Sequence, residues 1–172
     1  MATLNQLNKG GISPALGFLA PTCYCTGDRG AVIATQGTDT TPVVTETYLS
    51  RVDIPMNTTI TGLAMLNGSL VAGNMILALA DSNGVVLAST VSTVQAGAAG
   101  FQQVPFAAPL AVRGPGMYYL LAQFNNVGAR FRSHTVGNFR SGKLTAQTYG
   151  TLPTFTPPTT FTANLGPVAE TY

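Results

Sequence analysis

Asn74-Met75-Ile76-Leu77-Ala78-Leu79-Ala80, Asp81-Ser82-Asn83-Gly84 and Val85-Val86-Leu87-Ala88-Ser89-Thr90 follow one another in the chain, and their reading decides the fold. Each flanking run is apolar and too short for a helix of ordinary length, and the link between them ends in Asn-Gly. That dipeptide tolerates the positive φ angles a tight hairpin needs. The stretch predicts two antiparallel strands.

The same grammar extends in both directions. Upstream, Glu46-Thr47-Tyr48-Leu49-Ser50-Arg51-Val52-Asp53-Ile54 alternates so that Tyr48, Val52 and Ile54 share a face, and Pro55 stops it. Thr59 to Leu66 is a further apolar run, ending at the turn signal Asn67-Gly68. Downstream, the Ala- and Gly-rich Gln95–Gly100 reads as a loop. Phe101-Gln102-Gln103-Val104-Pro105-Phe106 follows, and its proline suits an edge strand or a bend. Leu110-Ala111-Val112 leads through Arg113-Gly114-Pro115-Gly116 into Met117–Phe124, the richest apolar run of the chain and one that suits a buried strand. Asn125-Asn126-Val127-Gly128 then turns into Ala129–His134. No longer window carries a capped helical stripe. About eight short strands with turns near every ten residues predict an all-β antiparallel β-sandwich, jelly-roll-like in its layout.

This body spans 45–148 and lies between two segments of different composition. Residues 1–44 are rich in turn formers and read as an extended N-terminal arm, with a brief strand at Ala31-Val32-Ile33-Ala34. Leu16, Phe18 and Leu19 argue that the arm docks on something, because free tails are poor in aromatic residues. Residues 149–172 are Thr- and Pro-rich, and their prolines bar a helix or a central strand. Phe155, Phe161, Leu165 and Tyr172 need cover there, so this segment is expected to run extended over its own or a neighbouring subunit.

The composition asks what covers the rest. Charged residues are 8% of the chain, hydrophobic residues 45%, and mean hydropathy is +0.27, where an ordinary soluble domain carries about 25% charged residues. A bilayer is a poor answer, because a spanning helix needs ~20 consecutive apolar residues and the runs here are short and interrupted. A disulfide framework also fails: the only cysteines are Cys23 and Cys25, which read as two free thiols, with a strained bridge, an inter-subunit bridge or half a metal site as the lesser alternatives. The first residues lack the basic and apolar regions of a secretory signal, so synthesis and maturation in the cytosol are expected and the sequons at Asn57 and Asn67 carry no weight. Cover by other subunits remains. Scattered proline and glycine interrupt aggregation-prone windows.

Catalytic patterns are thin. Gly137-Asn138-Phe139-Arg140-Ser141-Gly142-Lys143 fits a phosphate-loop spacing, but Leu144 follows where a hydroxyl should bind magnesium, and no helix pattern comes after it. Asp81-Ser82-Asn83-Gly84 opens like a calcium loop but has its glycine two positions early and lacks the closing glutamate. His134 is the sole candidate base, and the charges of Arg130 and Arg132 beside it oppose its protonation. The acids form no paired-carboxylate motif. No enzyme, cofactor or metal is expected. One asymmetry stands out: no acid lies between Asp81 and Glu170, whereas Arg113, Arg130, Arg132, Arg140 and Lys143 all do. Arg130 and Arg132 on one strand face would make a small basic patch, better matched to acidic residues of a protein partner than to nucleic acid. A glycan-binding surface is the competing class, with Tyr118, Tyr119 or Tyr149 stacking on a sugar ring, although tryptophan is absent.

From Glu46 onward the chain resembles structural proteins of tailed bacteriophages. The likeness is carried by Tyr48-Leu49-Ser50 with Ile54-Pro55, Thr59-Ile60-Thr61-Gly62 with Leu66-Asn67-Gly68, and Ala80-Asp81-Ser82-Asn83-Gly84. It continues in Phe101–Phe106, Gly116-Met117-Tyr118-Tyr119, Tyr149-Gly150-Thr151-Leu152-Pro153 and Pro158–Pro167. It is a likeness of spacing and turn chemistry. It implies a β-sandwich virion protein of the capsid decoration, or cement, type: a homo-oligomer, typically a trimer, seated on the major capsid protein at the capsid surface. The expected subunit contacts are Phe18, Arg130, Arg132, Phe155, Phe161 and Tyr172. A host-surface module of a fibre or tail tip is the alternative.

Overall fold

A computed structural model describes residues 24–26, 36–135, 141–160, 162–163 and 165–172. Its described residues form eleven strands: β1 Thr38–Thr40, β2 Thr47–Ile54, β3 Thr58–Leu66, β4 Asn74–Asp81, β5 Val86–Ser89, β6 Thr93–Val94, β7 Phe101–Val112, β8 Gly116–Phe124, β9 Phe131–Ser133, β10 Ser141–Leu144 and β11 Ala169–Thr171. Every strand pair is antiparallel. The all-β antiparallel class expected from the sequence is the observed one, with eleven strands among the described residues where about eight were expected. The sequence-expected strand at Ala31–Ala34 lies outside the described residues, as do Phe18, Cys23, Arg140 and Phe161.

Two sheets face each other. The larger runs β10-β2-β8-β4-β5, with β6 also pairing β4, and the smaller runs β11-β3-β7. A two-stranded ribbon, β1-β9, lies alongside. The main core fills the space between the sheets. It is built from Tyr48, Val52 and Ile54 of β2, Met75, Leu77 and Leu79 of β4, Leu120, Ala122 and Phe124 of β8, and the inward residues of β3 and β7. At its centre Phe131 stacks on Phe124 at 5.0 Å and lies 4.9 Å from Tyr48. Such ring contacts add ~0.5–1.5 kcal/mol per pair beyond area burial.

The outward face of the larger sheet is covered as well. Leu49, Ala78, Ala80, Tyr119 and Leu121 form a second cluster, on which Leu144, Leu152 and Phe155 pack. Burial on both faces is why β4 and β8 read as continuous apolar runs: no solvent-facing position remains to demand polarity.

The hairpin read from Asn74 to Thr90 forms as expected, with Ala78 opposite Ser89 and Leu79 opposite Ala88. A bulge at Leu87 then sets Val86 opposite Ala80. Ala88 therefore faces the main core and Val86 the second cluster. β7 runs unbroken through Pro105 because it is an edge strand, where a missing N–H costs no ladder bond. Its pairing with β3 slips between Ile60 and Gly62: Ile60 faces Leu110 while Gly62 faces Pro105. Phe106, in the excursion, bridges to Thr90 and joins the two sheets.

The turn expected at Asn67-Gly68 is different in kind. β3 pairs with β7 and β11, and β4 with β8, β5 and β6. The chain after Leu66 therefore crosses between sheets instead of reversing on itself. Asn67 is fully buried, its backbone bridged to Phe131, and a Cβ on Gly68 would collide with the Asp39 carboxylate.

Candidate functional site

The residues expected to contact other subunits are best judged by what they touch within this chain. Phe155 lies half-buried on the outward face of the larger sheet, its ring edge-on to Tyr119 at 5.9 Å and 68°. Its N–H donates to the Gly84 carbonyl at 3.1 Å, tying the segment to the tip of the β4–β5 hairpin. Gln123, buried on the same face, holds the preceding turn. Its Nε2 donates to Thr47 Oγ1 at 2.8 Å and to the Thr151 carbonyl at 3.0 Å, and its Oε1 accepts the Gly150 N–H at 3.1 Å. Further on, the Thr162 N–H donates to the Ser141 carbonyl on β10. The Thr/Pro-rich segment is thus strapped across its own sheet.

Tyr172 occupies the slip in the β3–β7 ladder. Its N–H donates to the Gly62 carbonyl, and its carbonyl oxygen accepts from the N–H groups of Thr61 and Gly62 and from Thr61 Oγ1. The ring lies over Gly62, where a Cβ would collide with it. Burial pushes the Tyr172 hydroxyl pKa up. On the other side of β11, the Thr26 N–H donates to the Ala169 carbonyl and the Thr171 N–H to that of Tyr24.

Arg130 and Arg132 share an acidic neighbour, Asp39. Asp39 on β1 is directly opposite Arg132 in the β1–β9 register. Its carboxylate accepts from the Ser69 N–H at 2.9 Å and from Ser69 Oγ at 2.5 Å. Burial alone would raise the Asp39 pKa; the Ser69 bonds and the charges of Arg132 and Arg130 outweigh it and hold the group below its ordinary value. The acid-free stretch of sequence therefore gains an acid through the fold. Arg130 also caps carbonyls, its Nη1 donating to Ala129 at 3.1 Å.

Residues with possible chemistry are occupied structurally. Asp81 Oδ1 accepts from the Asn83 and Val85 N–H groups, a hairpin turn rather than a cation loop. Ser141–Leu144, the end of the phosphate-loop-like motif, is strand β10 paired to β2, with no helix N-terminus after it. His134 Nε2 lies 3.0 Å from Thr26 Oγ1, and Cys25 Sγ lies 3.9 Å from Glu170 Oε2. Tyr118 and Tyr119, named for sugar stacking, are buried, and Tyr149 shares a 2.7 Å hydrogen bond with Ser92. Among the described residues no three His, Cys, Asp or Glu side chains gather at metal-binding distance.

One buried constellation was missed. The Tyr48 hydroxyl donates to Glu46 Oε2 at 2.7 Å, accepts the Val43 N–H at 2.9 Å, and Glu46 Oε1 pairs with Lys143 Nζ at 2.6 Å. The i, i+2 spacing of Glu46 and Tyr48 put them on one face in the sequence; nothing there brought Lys143 across from β10. A second missed feature is an amide network at one end of the sandwich. Asn67 Nδ2 donates to the Ala96 carbonyl at 2.6 Å and to Gln102 Oε1 at 3.0 Å; Gln95 Nε2 donates to Asn67 Oδ1 at 2.9 Å and to the Arg130 carbonyl at 2.7 Å. It locks together the connections 67–73, 95–100 and 125–130.

No family model matches the chain, and no curated protein and no solved structure matches it either.

Proposed function

We propose that this chain is a non-enzymatic structural protein of a virion, which decorates a phage capsid and stabilises it by binding between capsid subunits. The observation that carries the reading is a contrast. The chain bears eight basic and six acidic residues in 172, its own segments cover both faces of the larger sheet, and it still exposes Val43, Met56, Leu70, Val71, Val85, Leu87, Val91, Val94 and Val127. Large apolar side chains left outside a rigid body with so few charges suit a component that functions inside an assembly. The resemblance from Glu46 onward points to the same class. The mechanism is mass action: a protein that binds only the assembled shell stabilises it by its binding free energy.

Particles purified from cells that make the chain supply the test. Quantitative mass spectrometry should find it at a fixed ratio to the major capsid protein, and stripping it should lower the temperature at which the shells break. Absence from particles overturns the proposal. Retention on a glycan array by the free protein, with no binding to shells, would favour the host-surface alternative, although burial of Tyr118 and Tyr119 takes away two of the three rings that reading relied on.

A further inference from the structure

Asn-Gly occurs twice in the chain, at Asn67-Gly68 and at Asn83-Gly84. The pair has a chemistry of its own: with no Cβ on the glycine, its peptide nitrogen can come close to the carbonyl carbon of the asparagine side chain and attack it. The fold treats the two pairs in opposite ways. Asn67 is fully buried, and its amide is engaged with the Ala96 carbonyl and Gln102. Asn83 is exposed at the tip of the β4–β5 hairpin, where its amide makes only a 3.5 Å contact with Asp81 Oδ2. Gly84 beside it is nonetheless buried, with the Thr/Pro-rich segment lying against it. The Phe155 N–H donates to the Gly84 carbonyl at 3.1 Å, and a Cβ on Gly84 would collide with the Phe155 carbonyl. The Gly84 N–H is itself held, donating to the Asp81 carbonyl at 3.0 Å.

We propose that Asn83 is a site of spontaneous modification, gated by the segment that Phe155 anchors, and that its conversion unfastens that segment from the hairpin tip. In the reaction the Gly84 nitrogen gives its proton to water and bonds to Asn83 Cγ, while the Cγ–Nδ2 bond breaks and ammonia leaves. Water then opens the cyclic imide at one carbonyl or the other, leaving an aspartyl or an isoaspartyl residue at 83. Water is the only co-reactant, and nothing is oxidised or reduced. With the segment in place the attacking nitrogen is buried and its N–H is tied to Asp81, so the attack waits on local opening of the tip. Opening is fast beside so slow a reaction, and the rate therefore follows the population of the open state. The product acts back on the latch. A carboxylate at 83 faces that of Asp81, where a neutral amide now lies 3.5 Å away, and like charges so close oppose the turn. The isoaspartyl form also lengthens the main chain by a methylene just before Gly84, which displaces the carbonyl that the Phe155 N–H binds.

This chemistry belongs to the chain alone and stands or falls apart from the capsid reading. The full chain, kept folded in mildly alkaline buffer and sampled over days, should gain the mass of an amide-to-acid exchange, which peptide mass spectrometry should place at Asn83 and not at Asn67. F155A frees the segment from the tip, and Q123L frees the turn that precedes it. Each should speed conversion at Asn83 at least about fivefold, in proportion to the open population. Circular dichroism checks that both variants stay folded, and an intact Asn67 serves as the internal control for global unfolding. N83D, which mimics one product, should be cleaved within 145–158 faster than the parent in limited proteolysis. The proposal is overturned if Asn83 stays unconverted in all three proteins, if it converts at one rate in all three, or if N83D keeps the parent's cleavage pattern.

Discussion

The Phe155 ring meets Tyr119 edge-on at 5.9 Å, while the same residue's N–H donates to the carbonyl of Gly84. One side chain and one peptide group thus fasten the Thr/Pro-rich segment to both the centre of the larger sheet and the tip of its hairpin. Because the ring is half-buried, Phe155→Ala is expected to cost about 1–2 kcal/mol, below the cost for a fully buried ring. Gly84 has φ +80, and a Cβ there would collide with the Phe155 carbonyl, whereas Gly97, at φ +77, has open space around it. Gly84→Ala should therefore destabilise by ~1–2 kcal/mol more than Gly97→Ala, which carries only the backbone term. Urea unfolding of the three variants checks both statements.

Gln123→Leu removes the donor and the acceptor that hold Thr47, Thr151 and Gly150. Unsatisfied buried groups cost ~1–3 kcal/mol. Limited proteolysis should locate the damage, with new cleavage within 145–158 ahead of any in the sandwich.

The Tyr48 hydroxyl pKa is held well above its ordinary 10.0, chiefly by burial and then by the bond to Glu46; the Val43 N–H opposes the rise, and the Glu46 charge adds a smaller part to it. A raised native value means the contribution to stability is complete below about pH 10 and decays as pH climbs from there toward the native value, at ~1.4 kcal/mol per pH unit. Burial also raises Tyr119 and Tyr24, partly offset by Arg51 and by the Thr58 bond respectively. Denaturant titrations between about pH 8 and about pH 11.5 should show this alkaline loss, with a shallower slope in Tyr48→Phe.

The sign reverses for Asp39. Its native pKa lies below the ordinary 3.8, so the contribution is present above that value and is lost as pH falls through the native one. Asp39→Asn should lower stability near neutrality and flatten the acid limb of the stability profile.

Lys143→Met leaves the buried Glu46 without its cation and should cost about 1–3 kcal/mol. Adding Glu46→Gln to that variant should restore part of the loss. A double-mutant cycle showing no coupling between the two positions would count against the pair.

The strand runs were legible because both periodicities that mark strands are local. Tyr48, Val52 and Ile54 fell on the core face as their spacing required, and the Asp81–Gly84 turn formed where Asn-Gly placed it. Apolarity in Met117–Phe124, interrupted only by Gln123, signalled a strand covered on both sides, though not what covers it. Pairing between distant segments leaves no such trace. Nothing local says that Asp39 will face Arg132, that Lys143 will reach Glu46, or that Tyr172 will lie in the ladder slip at Gly62.

The sequence by itself determined the class of fold, most of the places where strands end and the scarcity of charge. Each depends on side-chain period, backbone freedom or composition, and those are properties of neighbouring residues. The tertiary structure alone decided which apolar residues are left uncovered. Phe155 and Tyr172 looked like anchors for other chains and are engaged on this one, while Leu70 and Val127 in short connections, and Val94 on the two-residue strand β6, sat unremarked and are left exposed. Exposure is a property of the packed sheets, set by which segments meet in space, and short apolar loops acquire a surface only when the fold brings them side by side.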